Sequence, residues 1–130
     1  MTSSDPLRLA LLRTALVGAC LAAMAVPLRA DAPQITHASA TPAAMGWRID
    51  VTLLHPDSGW DHYADRWQVE AEDGTVLGQR ILHHPHVDEQ PFTRSLSGVL
   101  VPDGTQRIFI RAGCSVHGLA ETRKPVDLIR

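Results

Sequence analysis

Strict alternation of apolar and polar residues is the feature of this sequence that most limits its fold. The segment "GWRIDVTLL" is the clearest case, with an apolar residue at every second position. These apolar residues are Trp47, Ile49, Val51 and Leu53. A period of two is that of a β-strand with one buried face, whereas an amphipathic helix repeats about every 3.6 residues.

Six further segments are equally short, and breaks rich in Gly, Pro and Asp, such as "EDG" and "PDG", separate them. The seven predicted strands are "QITHASAT", "GWRIDVTLL", "RWQVEA", "TVLGQRILHH", "FTRSLSGVLV", "TQRIFIRAGC" and "KPVDLI". No long stretch has helical periodicity. Together these segments predict an all-β fold, a seven-stranded antiparallel sandwich of immunoglobulin or fibronectin-III type. A small barrel is the alternative.

The first thirty residues have the composition of a secretory signal peptide. Arg8 and Arg13 precede the apolar run "TALVGACLAAMAVPL", which is followed by "RADAP". A basic start, an apolar stretch and a small residue at the break predict cleavage after Ala30, with Ala32 as a second option. The predicted organisation is therefore a signal peptide at residues 1–30 and a single β-sandwich domain at residues 31–130.

The apolar run also contains "VGAC", so lipid attachment at Cys20 is a rival prediction. Because the run continues past Cys20 through "LAAMAVPL", cleavage after Ala30 is favoured. The run is shorter than the roughly 20 apolar residues of a membrane-spanning helix. The sequence thus predicts a periplasmic or secreted protein with no membrane span in its mature chain.

The charge of the mature chain argues against nucleic acid as a partner. The sequence has 12 Lys and Arg and 14 Asp and Glu, and removal of residues 1–30 takes away three and one of these, which leaves a net charge of −4. Binding to a phosphate backbone needs a basic surface. Cys114 is the one cysteine that remains, so an internal disulfide is excluded.

Most of the histidines fall in three predicted loops, "HPDSGWDHYAD", "HHPHVDEQP" and "SVHGLAET". In an antiparallel sandwich, successive connections alternate between its two ends, so these three loops share one end. They contain six of the seven histidines: His55, His62, His83, His84, His86 and His117. Long loops on a rigid scaffold are where such folds carry function.

A transition metal is the first ligand that this end predicts. His84 and His86 are two residues apart, and side chains two apart in an extended segment point the same way. A third imidazole is available from His55, His62 or His117, and His83 is a further candidate. Imidazole nitrogen suits copper and zinc, which are the predicted ions.

The alternative is that the histidines and neighbouring polar residues only order the loops, without an ion. The residues predicted to orient a metal ligand or to order the loops are Asp61, Asp88, Glu89, Arg94, Trp60 and Tyr63. Arg94 is in phase with Phe92, so it faces the core side and needs an acidic partner such as Asp88 or Glu89. Trp60 and Tyr63 are expected to cover the end of the core.

Cys114 and His117 have a C-x-x-H spacing that is compatible with a metal site. Cys114 also continues the apolar phase of Ile110 and Ala112, which predicts a buried thiol that packs as a small hydrophobe. Cys114 is therefore not among the predicted ligands. Serines also lie near histidines, but no G-x-S-x-G motif is present, so an enzyme is not expected.

Two blocks, "HPDSGWDHYADRWQV" and "LHHPHVDEQPFTRSLSGV", resemble a family of small exported bacterial proteins of uncharacterised function. The resemblance covers most of the mature chain, and it implies export and one compact domain but no chemistry. We therefore expect an exported, non-catalytic β-sandwich module whose histidine-rich loops bind copper or zinc. The expected partner is that ion or an unknown periplasmic protein.

Overall fold

The computed structural model describes residues 32–130, so the predicted signal peptide and Cys20 lie outside the described residues. Eight β-strands and no helix are found within this range. The strands are β1 Gln34–Pro42, β2 Trp47–Leu54, β3 Ala64–Glu70, β4 Val76–Ile81, β5 Phe92–Val99, β6 Arg107–Cys114, β7 Gly118–Leu119 and β8 Lys124–Asp127. The all-β prediction is confirmed.

The strands form two antiparallel sheets. One sheet has the order β1-β2-β5, and the other has the order β4-β3-β6, with β7 and β8 both paired to the free edge of β6. β7 pairs near the end of β6 at Cys114, and β8 pairs near its start at Arg107. There is one strand more than the sequence predicted, because the two residues of β7 are too few to show a periodicity.

One hydrophobic core lies between the two sheets. The alternating residues of β2 are buried as predicted, since Ile49, Val51 and Leu53 are 0% exposed and Trp47 is 5% exposed. The facing sheet contributes buried residues from β3 and β6, which include Trp67, Val69, Ile108 and Ile110. Because residues on one face of a strand repeat every second position, both sheets bury an apolar face in this core. On β3 the polar residues of the opposite face, Gln68 and Glu70, are also buried.

The six connections from β1 to β7 divide into two groups, as the antiparallel order requires. Short turns at residues 43–46, 71–75 and 100–106 lie at one end, which we call the turn end. The connections at residues 55–63, 82–91 and 115–117 lie at the other, which we call the loop end. Hydrogen bonds join these three loops to one another: the Tyr63 amide donates to the Ser115 hydroxyl, and the His86 amide donates to Asp57.

No helix that is long and apolar enough to cross a membrane occurs in residues 32–130.

Candidate metal centre

His55 is the first residue after β2, and its ring is held inside the loop end. The residue is 1% exposed, and its Nδ1 atom lies 2.5 Å from Oδ1 of Asp57. A carboxylate oxygen only accepts hydrogen bonds, so Nδ1 is the donor. The other ring nitrogen, Nε2, is buried and has no hydrogen-bond partner. In a neutral His55 ring, this arrangement leaves the nitrogen lone pair on the buried Nε2.

The carboxylate of Asp57 is the hydrogen-bonding centre of the loop end. Its side chain is 0% exposed, and besides His55 it accepts from two backbone amides. The Ala64 amide donates to Oδ1 at 2.9 Å, and the His86 amide donates to Oδ2 at 2.8 Å. Hydrogen bonds that involve an ionised group are about twice as strong as neutral ones. One buried carboxylate thus holds the start of β3 and the 82–91 loop in place.

Gln90 joins the same two loops by a second route. Its Oε1 atom accepts from the His55 amide at 3.0 Å, and its Nε2 atom donates to the His86 carbonyl at 2.9 Å. Gln90 thus fixes the backbone of His55, while the hydrogen bond to Asp57 holds its ring.

His55, His62 and Cys114 meet in one cluster. A ligand atom from each of them lies within 4.8 Å of the other two. Cys114, the last residue of β6, is fully buried, and Nε2 of His62 is buried without a hydrogen-bond partner, like Nε2 of His55. Buried polar atoms nearly always have a partner in folded proteins. Two imidazoles, each with a buried unpartnered nitrogen, and a thiol form a set of residues that a metal ion would suit.

His117 places a fourth imidazole next to this cluster. Its ring centroid is 5.4 Å from that of His62, and the residue is exposed. The His117 backbone amide also donates to Sγ of Cys114 at 3.3 Å. The C-x-x-H spacing therefore places the backbone of His117 against the thiol and its ring beside that of His62.

The predicted pair His84 and His86 lies outside this cluster. Within residues 32–130, the group of three possible ligands is His55, His62 and Cys114, and neither His84 nor His86 belongs to it. His83 and His84 are exposed, while His86 is 5% exposed. The alternation of "HPH" predicted one shared direction, and the two rings do lie near each other, with centroids 4.6 Å apart.

The ring of His86 is engaged in packing and in a hydrogen bond. It stacks on Phe92 with ring centroids 3.9 Å apart, and its Nε2 lies 2.8 Å from Nη2 of Arg94. A guanidinium only donates, so Nε2 accepts. Burial, with the charge of Arg94, holds the pKa of His86 below its ordinary value. These contacts join the ring of His86 to β5, and its other ring nitrogen, Nδ1, is buried without a hydrogen-bond partner.

The predicted loop-ordering residues have mixed outcomes. Arg94 lies 3.5 Å from Glu89, one of the two acids expected to pair with it. Asp61 and Asp88 are exposed. The expectation that Trp60 covers the core is wrong: Trp60 is 68% exposed and packs edge to face on Tyr63, with centroids 5.6 Å apart.

Sequence reasoning did not assign a role in the site to Cys114, which lies in the cluster, or to Asp57, which hydrogen-bonds to His55. The predicted burial of Cys114 is confirmed. Cys114 is nevertheless close to His55 and His62, because β6 ends where the loops converge. The C-x-x-H spacing was the available signal. Asp57 was not singled out as an orienting residue, although its i, i+2 relation to His55 in "HPD" was visible in the sequence.

One relative was found among curated proteins, a protein of Halomicrobium mukohataei with the name "Putative lipoprotein". The two are 44% identical over 79 residues, which are 61% of this chain and 38% of the relative. The chain thus spans well under half of that protein's length. No family model matches the chain, and no solved structure gives a significant match. The relative's name states no activity, and the two blocks quoted above stay predictions.

Proposed function

We propose that the loop end binds a transition metal ion, copper or zinc, with His55, His62 and Cys114 as ligands and His117 as a fourth. The observation that carries this proposal is the cluster of two unpartnered buried imidazole nitrogens and a thiol, with its ligand atoms within 4.8 Å. The role is non-catalytic: the protein takes up or holds the ion.

The ligand chemistry supports copper and zinc. Two imidazoles and a thiolate occur in trigonal copper sites, and a third imidazole completes a four-coordinate zinc site. Zn–N and Zn–S bonds of about 2.0 and 2.3 Å place tetrahedral nitrogen and sulfur ligands roughly 3.3 to 3.5 Å apart. The ligand atoms of His55, His62 and Cys114 lie within 4.8 Å of one another, so binding of an ion draws them closer together.

Metal titration tests this proposal. Binding to the folded state alone at 100 times the dissociation constant adds about 2.7 kcal/mol to its stability. For a domain of this size we expect the melting temperature to rise by roughly 10 to 20 °C. A cobalt titration adds a direct signal, since thiolate coordination gives an intense charge-transfer absorption. If copper and zinc both leave the melting temperature unchanged at neutral pH, the proposal is wrong.

Two matched variants localise the ion. Cys114→Ser is nearly isosteric and removes the soft ligand, so we expect the charge-transfer band to disappear and the affinity to fall. His84→Ala changes an exposed residue outside the cluster, so we expect both to be retained. Loss of binding in His84→Ala with retention in Cys114→Ser would place the ion in the 82–91 loop instead.

A second candidate function is a structural or protein-interaction module without an ion. The hydrogen bonds of Asp57 and Gln90 favour it, because they already join the loops. The same titration separates the candidates. A purely structural loop end leaves stability independent of copper and zinc.

We also propose that the sandwich is of immunoglobulin or fibronectin-III type, which the strand orders β1-β2-β5 and β4-β3-β6 support. We also propose an envelope or extracellular location. The relative's name favours lipid attachment at Cys20, and the basic, apolar start of the chain supports export by either route. Mass spectrometry of the protein purified from its membrane and soluble fractions distinguishes cleavage after Ala30 from a lipidated Cys20.

A further inference from the structure

We propose that Asp57 is a positioning residue: it makes His55 a metal ligand by fixing the tautomer and the direction of its ring. This inference rests on the proposed function. Asp57 itself is not a ligand, because both of its oxygens are occupied by donors from the protein.

The tautomer follows from the contact between the two side chains. A neutral imidazole has one N–H and one lone pair. Since Asp57 accepts from Nδ1, the proton of His55 is on Nδ1 and the lone pair is on Nε2, the buried nitrogen that lacks a partner. A histidine that binds metal through one nitrogen typically donates its other N–H to a carboxylate, which fixes the ring and raises its basicity.

The carboxylate is itself fixed by the fold. The Ala64 amide belongs to the first residue of β3, and the His86 amide belongs to the 82–91 loop, so donors from two separate segments contact opposite oxygens. Rotation of the carboxylate would break one of these bonds. The direction of Nε2 in His55 is thereby set by three segments of the chain. His86 contributes to the centre through its backbone amide and not through its ring.

An amide cannot replace this carboxylate. If the oxygen of an asparagine faces His55 and Ala64, its NH₂ group meets the His86 amide, donor against donor. If the NH₂ group faces His55, it donates to Nδ1 and moves the imidazole proton to Nε2, which blocks the ligand atom. Asp57→Asn therefore changes the tautomer or breaks the contact with the loop, while the volume stays almost the same.

Gln90→Ala provides the matched control. Gln90 joins the same two loops and hydrogen-bonds to the backbone of His55, but it makes no hydrogen bond to its ring. This variant weakens the loops without changing the tautomer. If Asp57 only stabilised the loops, Asp57→Asn and Gln90→Ala would reduce metal affinity equally when they reduce stability equally.

The first measurement is the nitrogen-15 NMR spectrum of the histidine rings in the metal-free protein. We expect the Nδ1–H tautomer for His55 in the wild type and in Gln90→Ala, and its loss in Asp57→Asn. The second measurement is metal affinity by competition with a chelator. We expect Asp57→Asn to weaken copper and zinc binding by about 10- to 100-fold, the usual effect of removing such a partner, and Gln90→Ala to weaken it by less than about threefold.

The outcomes of the inference and of the proposed function are separable. An Nε2–H tautomer of His55 in the wild type overturns the inference, and this needs no variant that folds. Asp57→Asn with wild-type affinity also overturns it. A wild-type protein with the Nδ1–H tautomer that binds neither copper nor zinc overturns the proposed function, while the orienting contact of Asp57 is confirmed.

Discussion

Glu70→Gln should destabilise the protein much more than the loss of an exposed ion pair on the same sheet. Glu70 is 1% exposed, and its two oxygens accept from Arg111 at 2.7 and 3.1 Å, from Gln68 at 2.7 Å and from Arg123 at 3.4 Å. Burial raises the pKa of Glu70, but these hydrogen bonds and the two guanidinium charges outweigh it and hold the pKa below its ordinary value. The carboxylate is therefore charged in the native state at neutral pH.

The expected loss of stability depends on how deeply Glu70 and its arginine partners are buried. Removing one partner of a fully buried ion pair costs about 3–5 kcal/mol. The Arg111 and Arg123 side chains are 26% and 23% exposed, so water can solvate part of their charge after the substitution. We expect a loss of roughly 2–3 kcal/mol, which for a domain of this size lowers the melting temperature by about 10 to 20 °C.

Urea unfolding followed by tryptophan fluorescence measures this loss, since Trp67 is buried in the core. Asp127→Asn is the control. Asp127 pairs with Arg107 at 2.7 Å, but the two side chains are 62% and 56% exposed, so we expect a loss below about 1 kcal/mol. Equal losses in the two variants, or a loss below 1 kcal/mol for Glu70→Gln, would refute the reasoning from burial.

Three further outcomes are expected. Gly46→Ala should lower the free energy of unfolding in urea by more than about 1 kcal/mol, because Gly46 has φ +68° and a Cβ would lie 2.3 Å from the Val99 carbonyl oxygen. Gly74→Ala should lower it by less, because Gly74 has φ +88° but open space around it. In the presence of EDTA, the stability of the protein should fall as the pH drops below about 6.5. The pKa of His86 is lower in the folded than in the unfolded state, so the unfolded chain binds more protons in this range. A flat melting temperature between pH 7 and 5.5 contradicts this. His117→Ala should weaken cobalt binding less than Cys114→Ser and should retain the charge-transfer band, since the thiol remains; loss of the band would contradict the assignment of sulfur as the ligand that produces it.

The fold was more predictable from the sequence than the candidate site, for a physical reason. The alternation in β2 reports which face is buried, and burial is what organises a sheet, so the strand prediction succeeded. The alternation at His84 and His86 brings their rings to centroids 4.6 Å apart, but it does not report that the group of three possible ligands forms elsewhere, at His55, His62 and Cys114. The alternating connections predicted that the strand of Cys114 ends among the histidine loops. The apolar phase of Cys114 does not show whether its buried thiol only packs in the core or also meets His55 and His62, as the structure finds.

Because the turn end lies opposite the loop end, the protein can be attached to a surface through its turns without covering the candidate site. The turns at Gly74 and Gly104 have positive φ, and an added Cβ at either position meets no atom within 4 Å, so these exposed tips have room around them. Such tips are the preferred places for insertions. A biotin-acceptor peptide inserted at residue 104 would anchor the protein to a sensor surface with His55, Cys114 and the surrounding loops directed toward the solution.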